Sequence, residues 1–252
     1  MKPILSIVTV VYNNASQIEK TIQSVINQTF ERIEYIIIDG QSTDGTLEIV
    51  EKYKNYIIIK SEPDDGLYDA MNKGMQIANG EYLLFLNSGD FLSDPEIITH
   101  YFKRHNNEDI IYGDVNLLGK TGNMIGTRSE LSTRKLPKNL NWGHMGYGMV
   151  VCHQGFIARR RLCPTYNLRY KCSADIDWII SILKNTSSTR YVNRSLSDYS
   201  IGGLSIKYQK VCLKERFHIY LRHYGVLLAT YFQIVILIRA ILHKLRRGKF
   251  EY

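Results

Sequence analysis

Cysteine is scarce, with four in 252 residues. Cys152, Cys163, Cys172 and Cys212 lack the paired spacing of a zinc site, and with no sign of secretion they read as reduced thiols rather than a disulfide framework. A leader is not apparent: Met1-Lys2-Pro3 runs straight into a strand-like Ile4 to Tyr12, without an apolar h-region or a small-residue cleavage site. No GxGxxG follows that first apolar run, which argues against a dinucleotide dehydrogenase. Nor does a Gly-rich loop bearing Lys or Arg that could cradle a triphosphate, which argues against a nucleotidyltransferase. Internal repeats and low-complexity tracts are absent as well. At 44% hydrophobic and 22% charged residues, the chain can bury an ordinary core, as one domain with an extension or as two small ones.

Acidic residues are thin in one place. Residues 207–252 hold ten basic and two acidic side chains, whereas residues 1–206 hold 22 of each sign, so the tail carries the whole net charge of +8. Within it, Tyr224 to Ile238 has no charge at all, and Arg239, Lys244, Arg246, Arg247 and Lys249 follow. As a helix that run spans about 22 Å, short of the ~30 Å hydrocarbon core of a bilayer. The tail is therefore expected to lie on a membrane surface, apolar body in the interface and basic end on anionic headgroups. The alternative is a helix packed on the domain or on a second copy of the chain. Nucleic acid is not expected as a partner.

What is present is a repeated strand–helix pattern. Ile4 to Val11, Ile33 to Ile38 and Tyr82 to Leu86 are apolar β runs and Ile57 to Lys60 reads as a further short strand; runs buried on both faces belong to a parallel sheet covered by helices. Between them, Ser16 and Glu19 read as a capping box ahead of Ile18, Ile22, Val25 and Ile26 on one helical face. Thr46 to Tyr53 reads as a helix started by Asp44 or Thr43, and Leu67 to Ala78 as one opened by Asp65-Gly66. This order predicts an α/β fold with a Rossmann-like, mostly parallel sheet flanked by helices. Beyond Asp90 the expected elements are a helix over Ile97 to Arg104 and strands over Asp109 to Val115 and Gly148 to Ala158. A helix capped by Ser173, with Ile176, Ile179, Ile180 and Leu183 as its core face, and a closing strand from Tyr191 to Tyr199 follow. Residues 119–148, rich in Gly, Asn, Thr and Ser around Trp142 and His144, are either a plain loop or the wall of a site.

In sheets of this kind ligands bind beyond the carboxyl ends of the strands, and two acidic loops sit at such ends. In Asp39-Gly40-Gln41-Ser42-Thr43-Asp44-Gly45-Thr46, Asp39 suits a ring N–H or a ribose hydroxyl, and the glycines let a ligand approach the backbone. Asp44 is better placed to cap the next helix. In Asn87-Ser88-Gly89-Asp90, Asp90 suits a hard cation holding a diphosphate, and the same four residues also make a good β-turn. Asp175 and Asp177 project about 160° apart on their helix, so only one can face a cleft. A carboxylate there could serve as a general base, and near a helix N-terminus both also gain from the dipole.

Together with Thr9-Val10-Val11-Tyr12-Asn13, Asp65-Gly66-Leu67-Tyr68-Asp69-Ala70-Met71-Asn72-Lys73-Gly74 and Gly80 to Asp90, these motifs resemble family 2 glycosyltransferases of the GT-A fold. The likeness is strong over residues 4–92. It continues through His153-Gln154, Ala174-Asp175-Ile176-Asp177 and Gly202-Gly203-Leu204-Ser205, and stops at about residue 207. It implies a GT-A domain over 1–206, with a nucleotide-binding half (1–92) and an acceptor-side half (93–206), followed by the amphipathic tail (207–252). Tyr12 and Asp39 would contact the base and ribose of a nucleotide-sugar, with Asp65 near the same pocket. Asp90 would hold Mg²⁺ or Mn²⁺ on the diphosphate, and His153 would lie near that metal or stand as a buried core histidine. Asp175 matches the family's general base, and Asp177 a structural position. The family's usual Asp-x-Asp reads Asn87-Ser88-Gly89 here, with Asp90 kept, and Asn87 still offers a carbonyl oxygen. The Asn-Ser-Gly-Asp version resembles a subgroup associated with bacterial surface polysaccharides. The implied function is inverting sugar transfer to a saccharide acceptor, lipid-linked, by a cytoplasmic protein peripheral to the inner face of the cell membrane. The alternative is a non-catalytic nucleotide-sugar-binding subunit supporting a membrane-bound partner enzyme.

Overall fold

Four expected strands become four parallel neighbours. In the computed structural model, which describes residues 2–104, 107–119, 121–200 and 208–247, β1 (Leu5–Val11), β2 (Ile33–Asp39), β3 (Ile58–Ser61) and β4 (Tyr82–Phe85) lie side by side as β3-β2-β1-β4. Their crossovers are α1 (Ala15–Ile26), α2 (Thr46–Glu51) and α3 (Leu67–Ile77). Successive side chains on a strand leave opposite faces, so the core forms in two layers. Leu5, Ile7, Val11, Ile37 and Leu84 pack with Ile18, Ile22 and Val25 of α1, while Val8, Val10, Ile36 and Ile38 pack with Ala70, Met71 and Met75 of α3.

Downstream come β5 (Phe91–Leu92), α4 (Ile97–Phe102), β6 (Ile110–Tyr112), β7 (Val115–Leu118), β8 (Met124–Thr127), α5 (Arg128–Leu131), β9 (Phe156–Arg159), α6 (Ala174–Asn185), β10 (Thr189–Tyr191), β11 (Ser197–Ser200) and α7 (Gln209–Arg247). The main sheet completes as β10-β6-β9-β4-β1-β2-β3, with β9 antiparallel to both β4 and β6. A second sheet, β5-β11-β7-β8, stands apart from it.

Several expected elements are divided. The strand over Asp109 to Val115 breaks at Gly113-Asp114, and its halves join different sheets. The chain turns there in close contact: a Cβ on Gly113 would lie 1.9 Å from Tyr101 Oη and 2.5 Å from the Arg194 carbonyl. The strand from Tyr191 to Tyr199 is divided in the same way, into β10 and β11. Of Gly148 to Ala158 only the end is strand, because a single turn of 3₁₀ helix over His153–Gly155 precedes β9. The Ser16–Glu19 capping box does not form. Helix α1 starts two residues earlier than that box requires, its first N–H is taken by Asp44 Oδ2 at 3.0 Å, and Glu19 instead accepts from the Tyr53 hydroxyl. A capping box does appear at α5, between Thr127 and Glu130. The cysteines also depart from expectation: Cys172 and Cys212 are disulfide-bonded across 40 residues, while Cys152 and Cys163 are free thiols.

Helix α7 is two arms. Gly225, at φ 75° and ψ 172°, breaks the helical backbone between them, a conformation that costs glycine least. Both arms dock on the domain. Ile219, Tyr220 and Tyr224 from the first and Ala229, Phe232 and Ile236 from the second join the core of the α3/α6 layer. Phe232 sits over Gly146 so closely that a Cβ there would lie 2.4 Å from its ring. The opposite face of the second arm is bare, with Leu227, Leu237 and Leu245 86%, 61% and 77% exposed. By length and composition Gln209–His243 could cross a membrane. The Gly202–Ser205 motif and Lys249 fall outside the described residues.

Candidate active site

The loops after β1, β2 and β4 are laced into one platform. Asn13 Oδ1 accepts from Thr43 N and Asn13 N donates to Ser42 Oγ, both at 2.8 Å. Asn14 Nδ2 donates to Ser88 Oγ at 2.9 Å. Asp44 caps two helices at once, through Ala15 N and Thr46 N, each at 3.0 Å. Those hydrogen bonds hold the Asp44 carboxyl below the usual range, the Thr46 hydroxyl contributing most and Ala15 N next. Asp39, fully buried at the end of β2, accepts from Ser61 Oγ at 2.6 Å and Ser42 N at 3.1 Å. Tyr12, 65% exposed, puts its ring edge beside Gly40. Asp64 is the carboxylate on the other side of Gly40, where a Cβ would lie 2.5 Å from its Oδ2. Asp65 is exposed one residue further along, its N–H bonded to Asp69. The missing side chain at Gly40 thus lets the Tyr12 ring edge and the Asp64 carboxylate both approach the end of β2, an aromatic face and an acceptor of the kinds a nucleoside uses.

At the end of β4 the turn Asn87-Ser88-Gly89-Asp90 closes through Asp90 N and the Asn87 carbonyl, with Gly89 at φ 99°. Asp90 is 5% exposed and accepts from Gln154 Nε2 at 3.0 Å. Burial pushes its carboxyl up to about 6, against the Gln154 hydrogen bond and the charge of His153. Asn87 donates through Nδ2 to His153 Nε2 at 3.2 Å, and its buried Oδ1 has no partner. Among the described residues no three His, Cys, Asp or Glu side chains gather to hold a metal. One raised carboxyl and one orphaned amide oxygen nevertheless fit a hard cation that takes its other oxygens from a diphosphate and water.

His153 joins this turn to the first turn of α6. Its Nδ1 faces Asp175 Oδ2 at 3.6 Å. Asp175 Oδ1 receives the Tyr68 hydroxyl at 3.3 Å. The ionisation of Tyr68 is pushed well up, first by burial and then by the Asp175 charge, so the phenol stays a donor. Asp177 turns the other way and is paired with His223 Nε2 at 2.6 Å and Arg222 at 3.2 Å, both on the first arm of α7. Asp175 and His153 line one end of a cavity of about 510 Å³, whose other walls are the 128–134 segment and α7.

The structure therefore brings Asp90, His153 and Asp175 together and places Tyr12 and Asp39 along the same platform, with Asp65 at its exposed rim. Sequence reasoning missed Tyr68, Asp64 and Gln154 as partners, although each lies in or beside a motif already quoted. It also missed Arg128, Arg134 and Arg216 in the cavity wall. The composition of residues 119–148 was the only signal for the first two.

Known proteins resemble this chain in sequence and in fold. Residues 6–163 match the model of Glycosyl transferase family 2. The PGL/p-HBAD biosynthesis glycosyltransferase of Mycobacterium bovis is 33% identical over 215 residues, 81% of this chain and 79% of that protein. The poly(ribitol-phosphate) beta-glucosyltransferase of Bacillus spizizenii is 35% identical over 117 residues, 43% of this chain and 18% of that protein. Among solved structures, S. aureus TarS 1–349 in complex with UDP-GlcNAc superposes at TM-score 0.68 with 17% identity, covering 98% of this chain and 77% of that one. The mannosyltransferase PcManGT of Pyrobaculum calidifontis, in complex with GDP-Man and Mn²⁺, gives 0.62 with 12% identity, covering 99% and 77%. The fold is the GT-A fold, and the chain belongs to glycosyl transferase family 2.

Proposed function

We propose that the protein is an inverting hexosyltransferase that moves a sugar from a nucleoside-diphosphate-sugar to a saccharide acceptor at a membrane surface. The observation that carries this reading is Asp175. It is a carboxylate at the mouth of a cavity, oriented by the Tyr68 hydroxyl and separated from the Asn87–Asp90 turn by one imidazole. In this reading Asp175 takes the proton of the acceptor hydroxyl as its oxygen bonds to the anomeric carbon. The bond from that carbon to the diphosphate breaks on the opposite face, and its electron pair leaves with the nucleoside diphosphate. Tyr12, Asp39 and Asp64 hold base and ribose, and Asp90 with Asn87 Oδ1 would hold Mg²⁺ or Mn²⁺. When bound, the cation supplies positive charge to the leaving diphosphate. TarS solved with UDP-GlcNAc and PcManGT solved with GDP-Man and Mn²⁺ support this choice of donor class and ion.

The tail supports a membrane location. The bare leucine face and the basic residues of α7 suit an anionic bilayer surface. The inner face is held to the domain by Phe232 and by Arg239, which donates to the Tyr147 carbonyl. A helix lying along the interface keeps those contacts, whereas one crossing the bilayer would give them up. This favours a lipid-linked acceptor of surface polysaccharide biosynthesis and a protein peripheral to the inner membrane face.

Nucleoside diphosphate release from a panel of UDP-, GDP- and dTDP-sugars, with Mn²⁺ or EDTA, tests the reading. One donor should be hydrolysed slowly and lose its turnover in EDTA. Asp175→Asn should lower transfer at least ~100-fold while donor affinity holds. Loss of donor binding instead would remove the base assignment, and donor binding without turnover on any lipid-linked acceptor would favour the non-catalytic subunit.

A further inference from the structure

The cavity that Asp175 and His153 line is also lined by three arginines. Arg128 and Arg134 come from the segment after β8, and Arg216 from the first arm of α7. Elsewhere Arg159 pairs with Glu81 and Asp109, Arg161 with Asp109, Arg190 with Glu108 and Arg222 with Asp177. Among the described residues, none of the three in the cavity wall has a carboxylate partner. Arg128 donates to the carbonyls of Met149 and Val150, which fixes its position and leaves its charge uncompensated. Arg216 Nε is buried without any hydrogen-bond partner. Burial, and then the neighbouring charges of Arg128 and Arg216, lower the Arg134 guanidinium to about 10. Like charges gathered in a partly dry wall work against folding unless something anionic joins them. Guanidinium groups recognise phosphate oxygens by paired, charge-assisted hydrogen bonds.

The position of the cluster says whose anion it is. In the transferase reading the donor's base and ribose lie at the β1 and β2 loops and its diphosphate at the Asn87–Asp90 turn; none of these loop residues lines the cavity, which meets the turn only through His153 and Gln154. The cavity instead runs from Asp175 outward between the 128–134 segment and α7, the helix with the bare apolar face. We propose that Arg128, Arg134 and Arg216 form an acceptor-phosphate site: a phosphate or diphosphate carried by the acceptor sits among them while the acceptor hydroxyl reaches Asp175. This rests on the reading of Asp175 as the base of a glycosyl transfer. The phosphate has two chemical sources, the diphosphate head of a lipid-linked saccharide or the backbone of an alditol-phosphate polymer.

The test is calorimetric titration of the full chain with inorganic pyrophosphate in EDTA, which keeps a divalent cation from recruiting the anion to Asp90. Arg216→Gln and the pair Arg134→Gln/Arg216→Gln are compared with the unaltered protein, and thermal melting confirms that each folds. Pyrophosphate should bind, at least ~10-fold more weakly to Arg216→Gln and not measurably to the pair, while UDP, GDP or dTDP affinity in Mn²⁺ holds. No pyrophosphate binding by the unaltered protein, or equal affinity in the folded variants, overturns the site. Loss of nucleotide affinity in step with pyrophosphate assigns the cluster to the donor and also overturns it. If no nucleotide binds the unaltered protein while pyrophosphate does, it is the transferase reading that fails. Two competitors separate the sources: phosphatidylcholine vesicles doped with a polyprenyl diphosphate, against plain vesicles, and a soluble glycerol-phosphate oligomer. Displacement of pyrophosphate by either one supports the site and names its source, and displacement by neither overturns the assignment to an acceptor.

Discussion

The two halves of the molecule are built differently. Up to Asp90, Tyr12, Asp39 and Asp90 sit at or just beyond the ends of parallel strands, and side-chain hydrogen bonds tie their loops to one another. Beyond Asp90, the strands are short, they are divided between two sheets, and the cavity is assembled from several separate segments between Leu117 and His243. A nucleotide is a ligand that many proteins share, and a strand end with its loop suffices to bind it. An acceptor is particular to one enzyme, and its site is composed where remote segments happen to meet.

That contrast can be broken or sharpened by substitution. Asp90→Asn strikes the nucleotide half where function and stability oppose each other. Transfer should fall at least ~100-fold as the hold on the diphosphate is lost. Stability should move the other way. Asp90 ionises at about 6 in the fold, against 3.8 ordinarily, so the native state holds its proton to higher pH than the unfolded chain does. Stability is therefore lost as pH rises from about 4 to 6, by at most ~3 kcal/mol. Without metal, the variant should melt higher than the parent near pH ~7.5 and no higher near pH ~3.5. A lower melting temperature at the higher pH would show that the carboxylate stabilises the fold.

A smaller effect is expected at the seam between α6 and α7. His223→Ala leaves the buried Asp177 with one exposed partner and should destabilise the fold by about 1–3 kcal/mol. Arg222→Ala should cost under ~1 kcal/mol, because Arg222 is 58% exposed. Denaturant midpoints compare the two, and equal losses would mean that the pair acts through charge alone. The smallest effect is expected from Tyr68→Phe, which removes one hydrogen bond from Asp175. Turnover should fall about 5- to 10-fold with donor affinity and melting unchanged. An unaltered turnover would separate Tyr68 from the chemistry.

Legibility in the sequence followed the same division. The strands over Ile33 to Ile38 and Tyr82 to Leu86 were readable because burial on both faces leaves apolar runs, Tyr35 to Ile38 and Tyr82 to Leu86, and Asp39 and Asp90 stand out beyond them. The breaks at Gly113-Asp114 and within Tyr191 to Tyr199 were not readable, because leaving one sheet for another changes neither the period nor the polarity of the residues. The Ser16–Glu19 box failed for a related reason: Asp44, from another loop, reached the helix start first. Asp177 carries no local sign of its partner, since His223 lies 46 residues away. Arginines 128, 134 and 216 look like ordinary surface charges until the fold sets them around one cavity.

The break at Gly225 turns the tail into a problem of phase. Its first arm supplies most of the tail's cavity-lining residues and its second presents the leucine face, so the angle between cavity and leucine face is set where the helical backbone breaks, at one residue. One residue inserted just after it would rotate the second arm by about 100° and advance it by about 1.5 Å. Phe232 would then swing off Gly146, and the leucines would turn toward the domain. Insertions and deletions at this joint are thus a compact way for such a chain to change the surface it faces while its chemistry stays the same.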